Sequence, residues 1–447
     1  MCGIAGISGH PEAARLVHLM MYAQQHRGQE AAGITARNPS GDLVLRRRFG
    51  LVAKAFPERV LETLSGDLAI GHNRYSTAGG KSVENIQPIT FRQVAVAHNG
   101  NLTNAAVLRE QLDCQGRLFR STSDTEVIPH LMARSRAHTP LDQLVDALGQ
   151  VHGAYSLLVI TNDGTLFVAR DPHGFRPLVL GKLNGAMVVA SETCAFDLIG
   201  AEYEREINPG EVLAIKDGGI VDSSQLAWQS QHACIFELMY FARPDSRVFG
   251  QLPEDVRHEL GRELGREHPV AGADRVVPVL ASGLHAAIGY ATQTGIPFRA
   301  SLTRNNYLQR TFIEPTKKRR EFSTLLKHNA SPGLEGKRVV LVDDSVVRGT
   351  TSKHIVDLVR ARGATEVHLR VSAPPSIAPC HFGIDTPTAE ELVASSRSLE
   401  QIRALIGVDS LEYLSIEGMY KAVGIPPGKK MCAACFTGRY PIPINAG

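Results

Sequence analysis

Cys2 directly follows Met1, and removing an initiator methionine before a small residue leaves a thiol beside a free α-amine. Such an amine titrates near about 7.7–8.0, so much of it is unprotonated at neutral pH and can act as a base. A thiol carrying its own base is the N-terminal-nucleophile arrangement. Met-Cys-Gly alone fits the second residue of a buried strand equally well. Other polar clusters in the first half widen the chemistry. His26-Arg27-Gly28 is a compact polar cluster after a helical stretch. Arg74, in Gly71-His72-Asn73-Arg74-Tyr75-Ser76-Thr77, sets a guanidinium on a turn, suited to fork onto a substrate carboxylate. His98-Asn99-Gly100-Asn101 offers a side-chain amide and a glycine N–H, the two donors an oxyanion hole requires. Asp124, after Ser123, supplies a carboxylate for a substrate ammonium. Together these residues suit an amino-acid amide.

The second half offers different chemistry. The apolar run Val339–Val342 ends in Asp343-Asp344, followed by Ser345, Val346, Val347, Arg348, Gly349, Thr350, Thr351 and Ser352 at the head of a helical pattern. Backbone amides and hydroxyls at a helix N-terminus cradle phosphate. Adjacent carboxylates at a strand's carboxyl end suit ribose hydroxyls, directly or through Mg²⁺. The stretch is neither G-x-G-x-x-G nor a Walker sequence. Residues 303–330 form a long basic segment, with Arg304, Arg310 and Lys327 among its cations, suited to cover a leaving pyrophosphate as a lid. Cys234, Cys380 and the pair Cys432-Ala433-Ala434-Cys435 bring four thiols from three distant segments. Spacing alone fits zinc, a 4Fe-4S cluster or reduced buried thiols. Cys114 and Cys194 read as ordinary buried residues.

These groups need a scaffold. Up to about residue 225 the chain alternates short apolar runs, such as residues 95–97, 155–160 and 187–190, with Gly/Asn turns. Helical patterns cover residues 12–25 and 124–136, the latter opened by a capping box of Ser123 and Glu126. This mixture predicts an α+β domain with layered sheets. Beyond Trp228 the order becomes helix 254–267, strand 276–280, helix 285–294, strand 338–342, helix 352–362 and strand 367–372. Strands linked by crossover helices predict an α/β domain with a parallel sheet, and we set the boundary near residue 230. The 447 residues suit about two to three domains of roughly 150 residues each. With 43% hydrophobic and 21% charged residues the chain is neither disordered nor fibrous. A net charge of +3 gives no reason to expect nucleic acid or a membrane surface as partner. No apolar run approaches the roughly 20 residues of a membrane span. The N-terminus lacks a signal-peptide pattern, so the cytoplasm is the expected location.

The motifs around Cys2, His26-Arg27-Gly28, Arg74–Thr77 and His98–Asn101 resemble the glutaminase domain of N-terminal-nucleophile amidotransferases. The Val339–Ser352 stretch resembles the phosphoribosyl pyrophosphate loop of type I phosphoribosyltransferases. In that order, with further matches such as Tyr240–Ser246 and Gly383-Ile384-Asp385, the chain is similar to the amidophosphoribosyltransferase family. The resemblance implies an αββα N-terminal-nucleophile glutaminase domain over 2–230, then an α/β type I phosphoribosyltransferase domain over 231–447. It implies that Cys2 attacks glutamine, with Arg74 on the substrate carboxylate, Asp124 on its amine, and Asn99 and Gly100 on the oxyanion. Ammonia would then travel internally to C1 of phosphoribosyl pyrophosphate, opening purine synthesis. Ser282 keeps a hydroxyl that the family offers to Mg²⁺. The positions of Cys234, Cys380, Cys432 and Cys435 match the cluster-bearing type, implying a structural 4Fe-4S cluster that ties the tail to the domain seam. Purine-nucleotide inhibitors and a homo-oligomer complete the expectation. The chain departs from the family pattern by losing charge at Ala281, Asn306 and Leu325. Those losses carry a second reading, a divergent paralogue that hydrolyses glutamine and binds phosphoribosyl pyrophosphate or nucleotide as a regulator.

Overall fold

The computed structural model describes residues 1–75, 82–305, 328–425 and 430–444. In the first half the strands are β1 (Gly3–Ser8), β2 (Ala31–Arg37), β3 (Leu43–Phe49), β4 (Leu68–Arg74), β5 (Ile89–Phe91), β6 (Val94–Leu102), β7 (Gly153–Thr161), β8 (Leu166–Arg170), β9 (Val179–Leu183), β10 (Ala186–Ala190), β11 (Glu202–Glu206), β12 (Glu211–Lys216) and β13 (Gly219–Gln225). They form two antiparallel sheets, ordered β11-β9-β10-β1-β4-β2-β3 and β13-β12-β8-β7-β6-β5. Side chains alternate across a strand, and that alternation builds the layers. Ile4, Leu158, Ile160 and Val189 meet in the core between the sheets. Ala5, Ile7, Val188 and Ala190 face the opposite way, onto the helix Ala13–Ala23. Leu157 and Val159 face helices Ala105–Cys114, Val127–Met132 and Pro140–Leu148. Burial on both faces is why β1 and β7 read as continuous apolar runs. The result is the αββα stack that the resemblance implies.

The second half contains β14 (His232–Cys234), β15 (Arg275–Pro278), β16 (Leu302–Arg304), β17 (His328–Ala330), β18 (Arg338–Asp343), β19 (Glu366–Val371), β20 (Ser410–Tyr413) and β21 (Lys430–Cys432). β15-β18-β19-β20 is a parallel sheet, with helices Leu284–Thr294, Thr350–Ala361 and Leu399–Ile406 among its connections and helix Pro253–Glu267 leading into β15. A parallel sheet needs such crossovers, and its strands are accordingly apolar on both faces. β14 and β21 pair in parallel, setting Cys234 opposite Cys432 and fastening the tail to the start of this half.

Two local expectations change. The capping box at Ser123 does not form: Ser123 caps a short 3₁₀ turn, Asp124–Glu126, and the α-helix runs only over Val127–Met132. Glu126 turns instead to the amides of Arg120 and Ser121 and the Ser121 hydroxyl. Cys114 is exposed at the end of its helix rather than buried, whereas Cys194 is buried. No helix among the described residues is long and apolar enough to cross a membrane.

Candidate functional site

The first site lies where β1, β4 and β6 end. Cys2 immediately precedes β1 and is 8% exposed. Its N–H donates to Asn99 Oδ1 at 3.3 Å, and its thiol points to the Tyr75 carbonyl at 3.6 Å. Pairing of β1 with β4, Gly3 opposite Asn73, brings buried Arg74 alongside. Asn99 Nδ2 is buried with no hydrogen-bond partner among the described residues. A buried amide donor left open is costly, so this one is poised for an acceptor that is not part of the fold. Gly100 completes the pair with a φ of +155°. A Cβ there would sit 1.9 Å from the Ala154 carbonyl oxygen, so only glycine fits.

Asp124 is anchored through its carboxylate, which accepts the Leu102 N–H and the Thr125 N–H, each at 2.9 Å. It lies 3.7 Å from His98 Nδ1 and is 14% exposed. His72, on β4, stays neutral: burial, then the Arg74 charge, push its pKa down to about 3.

Behind the nucleophile is a buried ion network that sequence reading missed. Arg27 Nε donates to the Cys2 carbonyl at 2.9 Å. Its guanidinium pairs with Glu192 and with Glu237, the latter at 2.8 Å. Arg176 reaches the same Glu237 at 3.5 Å, and all four side chains are fully buried. Burial opposes charge on Arg27, but Glu237 and Glu192 outweigh it and raise its pKa above the ordinary value. The signal available was slight: His26-Arg27-Gly28 stood out as a polar cluster, without a partner.

The second site sits at the carboxyl end of β18. Asp343 and Asp344 are 6% and 8% exposed. Their carboxylates accept the Asp344 N–H, on Asp343 Oδ1 at 2.9 Å, and the Ser345 hydroxyl, on Asp344 Oδ2 at 2.6 Å. Burial, then repulsion from Asp344, holds the Asp343 carboxyl well above its usual range. Two crowded carboxylates of this kind fit a divalent cation. Gly349, at φ +76°, turns the chain into helix Thr350–Ala361. Thr350, Thr351 and Ser352 thus form its first turn, where free amides suit phosphate. Arg348 is at the surface, 3.0 Å from Glu391.

Ser282 belongs to the turn after β15. The Val279 N–H donates to the Val342 carbonyl at 2.9 Å, and a Cβ on Gly283 would lie 2.3 Å from that oxygen. This close approach brings Ser282 to the Asp343 end of β18. Arg304 ends β16, opposite His328, whose ring nitrogen lies 3.2 Å from the Leu280 carbonyl oxygen. His328 thus ties the end of β16 to the turn after β15, and that turn packs against the end of β18. Arg310 and Lys327, with most of the expected lid, lie outside the described residues.

The four cysteines of the second half converge and are free thiols. Burial, then the charges of its three companions, drives the Cys435 pKa well above the usual thiol range. Burial raises Cys234 to about 11 and Cys432 to about 12. Arg176 Nη2 lies 3.9 Å from the Cys380 sulfur, and the Phe382 N–H donates to it at 3.3 Å. The donor type, thiols in one neighbourhood with N–H groups directed at one sulfur, is the chemistry an iron–sulfur cluster takes, but the side chains are not set as ligands. Among the described residues no group of three or more His, Cys, Asp or Glu side chains is arranged to hold a metal ion.

Fold and site together define a two-part amidotransferase, a glutaminase joined to a phosphoribosyltransferase. The glutamine amidotransferase domain family matches residues 72–197, and the phosphoribosyl transferase domain family matches residues 267–377. Amidophosphoribosyltransferase 1 of Arabidopsis thaliana, a chloroplast protein, is 48% identical over 447 residues, covering 99% of this chain and 78% of that one. The Bacillus subtilis amidophosphoribosyltransferase is 47% identical over 452 residues, covering 99% and 94%. The solved structure of the B. subtilis glutamine phosphoribosylpyrophosphate amidotransferase complexed with ADP and GMP superposes with a TM-score of 0.92, at 46% identity, covering 100% of this chain and 98% of that one. This chain belongs to the amidophosphoribosyltransferase family, enzymes that move ammonia from glutamine to C1 of 5-phosphoribosyl 1-pyrophosphate in the first step of purine biosynthesis.

Proposed function

We propose that this chain carries out its family's reaction with the residues expected from the sequence. Cys2, freed of Met1, attacks the side-chain amide carbon of glutamine while its own amine takes the thiol proton. Arg74 holds the substrate carboxylate and Asp124 its ammonium. Asn99 Nδ2 and the Gly100 N–H hold the developing oxyanion. The leaving nitrogen departs as ammonia, and water hydrolyses the thioester to glutamate. At the acceptor site Thr350, Thr351, Ser352, Gly349, Arg348 and Ser345 hold the 5-phosphate, while Asp343 and Asp344 hold the ribose hydroxyls. Arg304, Arg310 and Lys327 cover the pyrophosphate. Mg²⁺, held by Asp343, Asp344 and Ser282, supplies charge neutralisation for that leaving group.

The observation that carries this reading is the Asn99 amide: its oxygen accepts the Cys2 N–H while its buried nitrogen has no partner among the described residues. The test is pyrophosphate release in an anaerobic preparation, expected only with glutamine, phosphoribosyl pyrophosphate and Mg²⁺ together. Glutamate formed without pyrophosphate would favour the regulatory paralogue instead.

The same proposal includes a structural 4Fe-4S cluster on Cys234, Cys380, Cys432 and Cys435, supported by the gathering of those thiols. When bound it supplies a crosslink between the tail and the start of the second half. A brown protein with iron–sulfur charge-transfer bands is expected, and stoichiometric zinc would refute it. We further assign the glutaminase to 2–230 and the transferase to 231–447, in a cytoplasmic homo-oligomer. ADP and GMP on the B. subtilis relative support purine nucleotides as inhibitors here.

A further inference from the structure

The segment Cys380–Ile384 belongs to the transferase half yet lies on the glutaminase strand β6. Asn101 Nδ2 donates to the His381 carbonyl at 2.9 Å. Gly383, at φ +101°, presses its backbone on Gly100: a Cβ there would lie 2.8 Å from the Gly100 carbonyl carbon and oxygen and 2.9 Å from its Cα. Gly100 is thus confined by the Ala154 carbonyl and by Gly383. The segment is itself held firmly. The Phe382 carbonyl accepts Arg176 Nε at 2.8 Å, and the Phe382 ring stacks on Phe175 with centroids 4.4 Å apart. The Cys380 N–H donates to Thr386 Oγ1 at 2.7 Å. Arg176 is buried and paired with Glu237, which also holds Arg27 behind Cys2.

We infer that Gly383 is a positioning residue for glutamine hydrolysis: the transferase half sets the oxyanion hole by fixing the Gly100 peptide through the Cys380–Ile384 segment. This rests on the reading of Asn99 and Gly100 as the oxyanion donors. The physical reason is that an oxyanion donor must be held to a fraction of an ångström, and a strand end cannot do this with one side open. Gly100 has no side chain with which to pack, so the second half supplies that packing. The consequence is a coupling: glutamine is hydrolysed well only while the transferase half is seated on β6. Substrate binding does not share this dependence, because Arg74 and Asp124 are anchored within the glutaminase half.

The test is Gly383→Ala in the full chain. The added methyl meets backbone rather than a flexible side-chain tip, so the Gly100 peptide or the segment must shift. Glutaminase kcat should fall about 10²-fold, with KM for glutamine within about 3-fold. Transfer from free ammonia should stay within about 2-fold of the parent, since the acceptor site is untouched. Gly200→Ala, at φ +69° with open space around it, also puts a side chain at positive φ but without the contact, and should leave both activities intact. Asn101→Ala removes the His381 link without strain and should lower glutaminase kcat about 10-fold at unchanged KM. That variant decides the matter if Gly383→Ala fails to fold. Parental glutaminase kcat in these variants, or equal loss of both activities, overturns the inference. Asn99→Ala separates the layers: if it keeps full glutaminase activity, the underlying oxyanion reading is wrong. If Asn99→Ala is inactive while Gly383→Ala is not, only the role of Gly383 is wrong.

Discussion

The two sites follow opposite plans. Around Cys2 the polar groups are held by strand pairing and buried bonds, so the geometry is set before substrate arrives. Around Asp343 the fold instead crowds like charges, with a glycine turn and a helix start nearby. Acyl transfer needs donors at a defined oxygen position, which a rigid ladder provides. Displacing pyrophosphate needs counter-charge, which arrives with the metal and basic side chains. A rigid nucleophile site and a charge-strained acceptor site should therefore fail in different ways.

The largest separation comes from Cys2→Ala. Glutamine-dependent activity should fall by about 10⁴-fold or more, because no other thiol replaces the nucleophile. Transfer from ammonium chloride should persist, measured as pyrophosphate release. Loss of both would mean the sites are not independent catalysts. Glu237→Gln comes next. It leaves Arg27 and Arg176 short of a buried counter-charge, and breaking such a pair costs about 3–5 kcal/mol. A fall in Tm is expected, with glutaminase affected before ammonia transfer because Arg27 bonds the Cys2 carbonyl. An unchanged Tm would show that the network is dispensable.

How much of this was legible depends on how far apart the partners are in the chain. The strand read over 338–342 is Arg338–Asp343, and the helix read over 254–267 is Pro253–Glu267. Both signals are local and periodic. The Cys2 motifs and the Asp343–Ser352 loop were legible because each packs its chemistry into a few adjacent residues. Glu237 was not, since its bond to Arg27 spans 210 positions and a lone Glu in an apolar stretch reads as nothing in particular. The Gly383 contact on Gly100 was invisible for the same reason, compounded by two residues without side chains. The Ser123 capping box failed because closer amides, from Arg120 and Ser121, claimed Glu126. Local pattern proposes a partner, and tertiary packing decides whether it is available.

The smallest effect sharpens the comparison through pH. His72 has a folded pKa of about 3 against an ordinary 6.5. Between those values only the unfolded chain binds the proton, so stability falls as pH drops through 6.5, by up to about 1.4 kcal/mol per unit. Asp343 runs the other way. Its folded pKa lies above the ordinary 3.8, so the folded state holds the extra proton and stability is lost as pH rises from 3.8 through the raised value. Peptide-resolved hydrogen exchange should show β4 and β6 losing protection toward acid, and β18 losing protection toward neutrality in metal-free buffer. Asp343→Asn removes the crowded charge. It should stabilise β18 by about 0.5–2 kcal/mol at neutral pH and flatten its pH dependence, while abolishing transfer and sparing glutaminase. A variant no more stable than the parent at pH 8 would mean that the fold bears no cost for its carboxylate pair, and the contrast between the sites would lose its energetic basis.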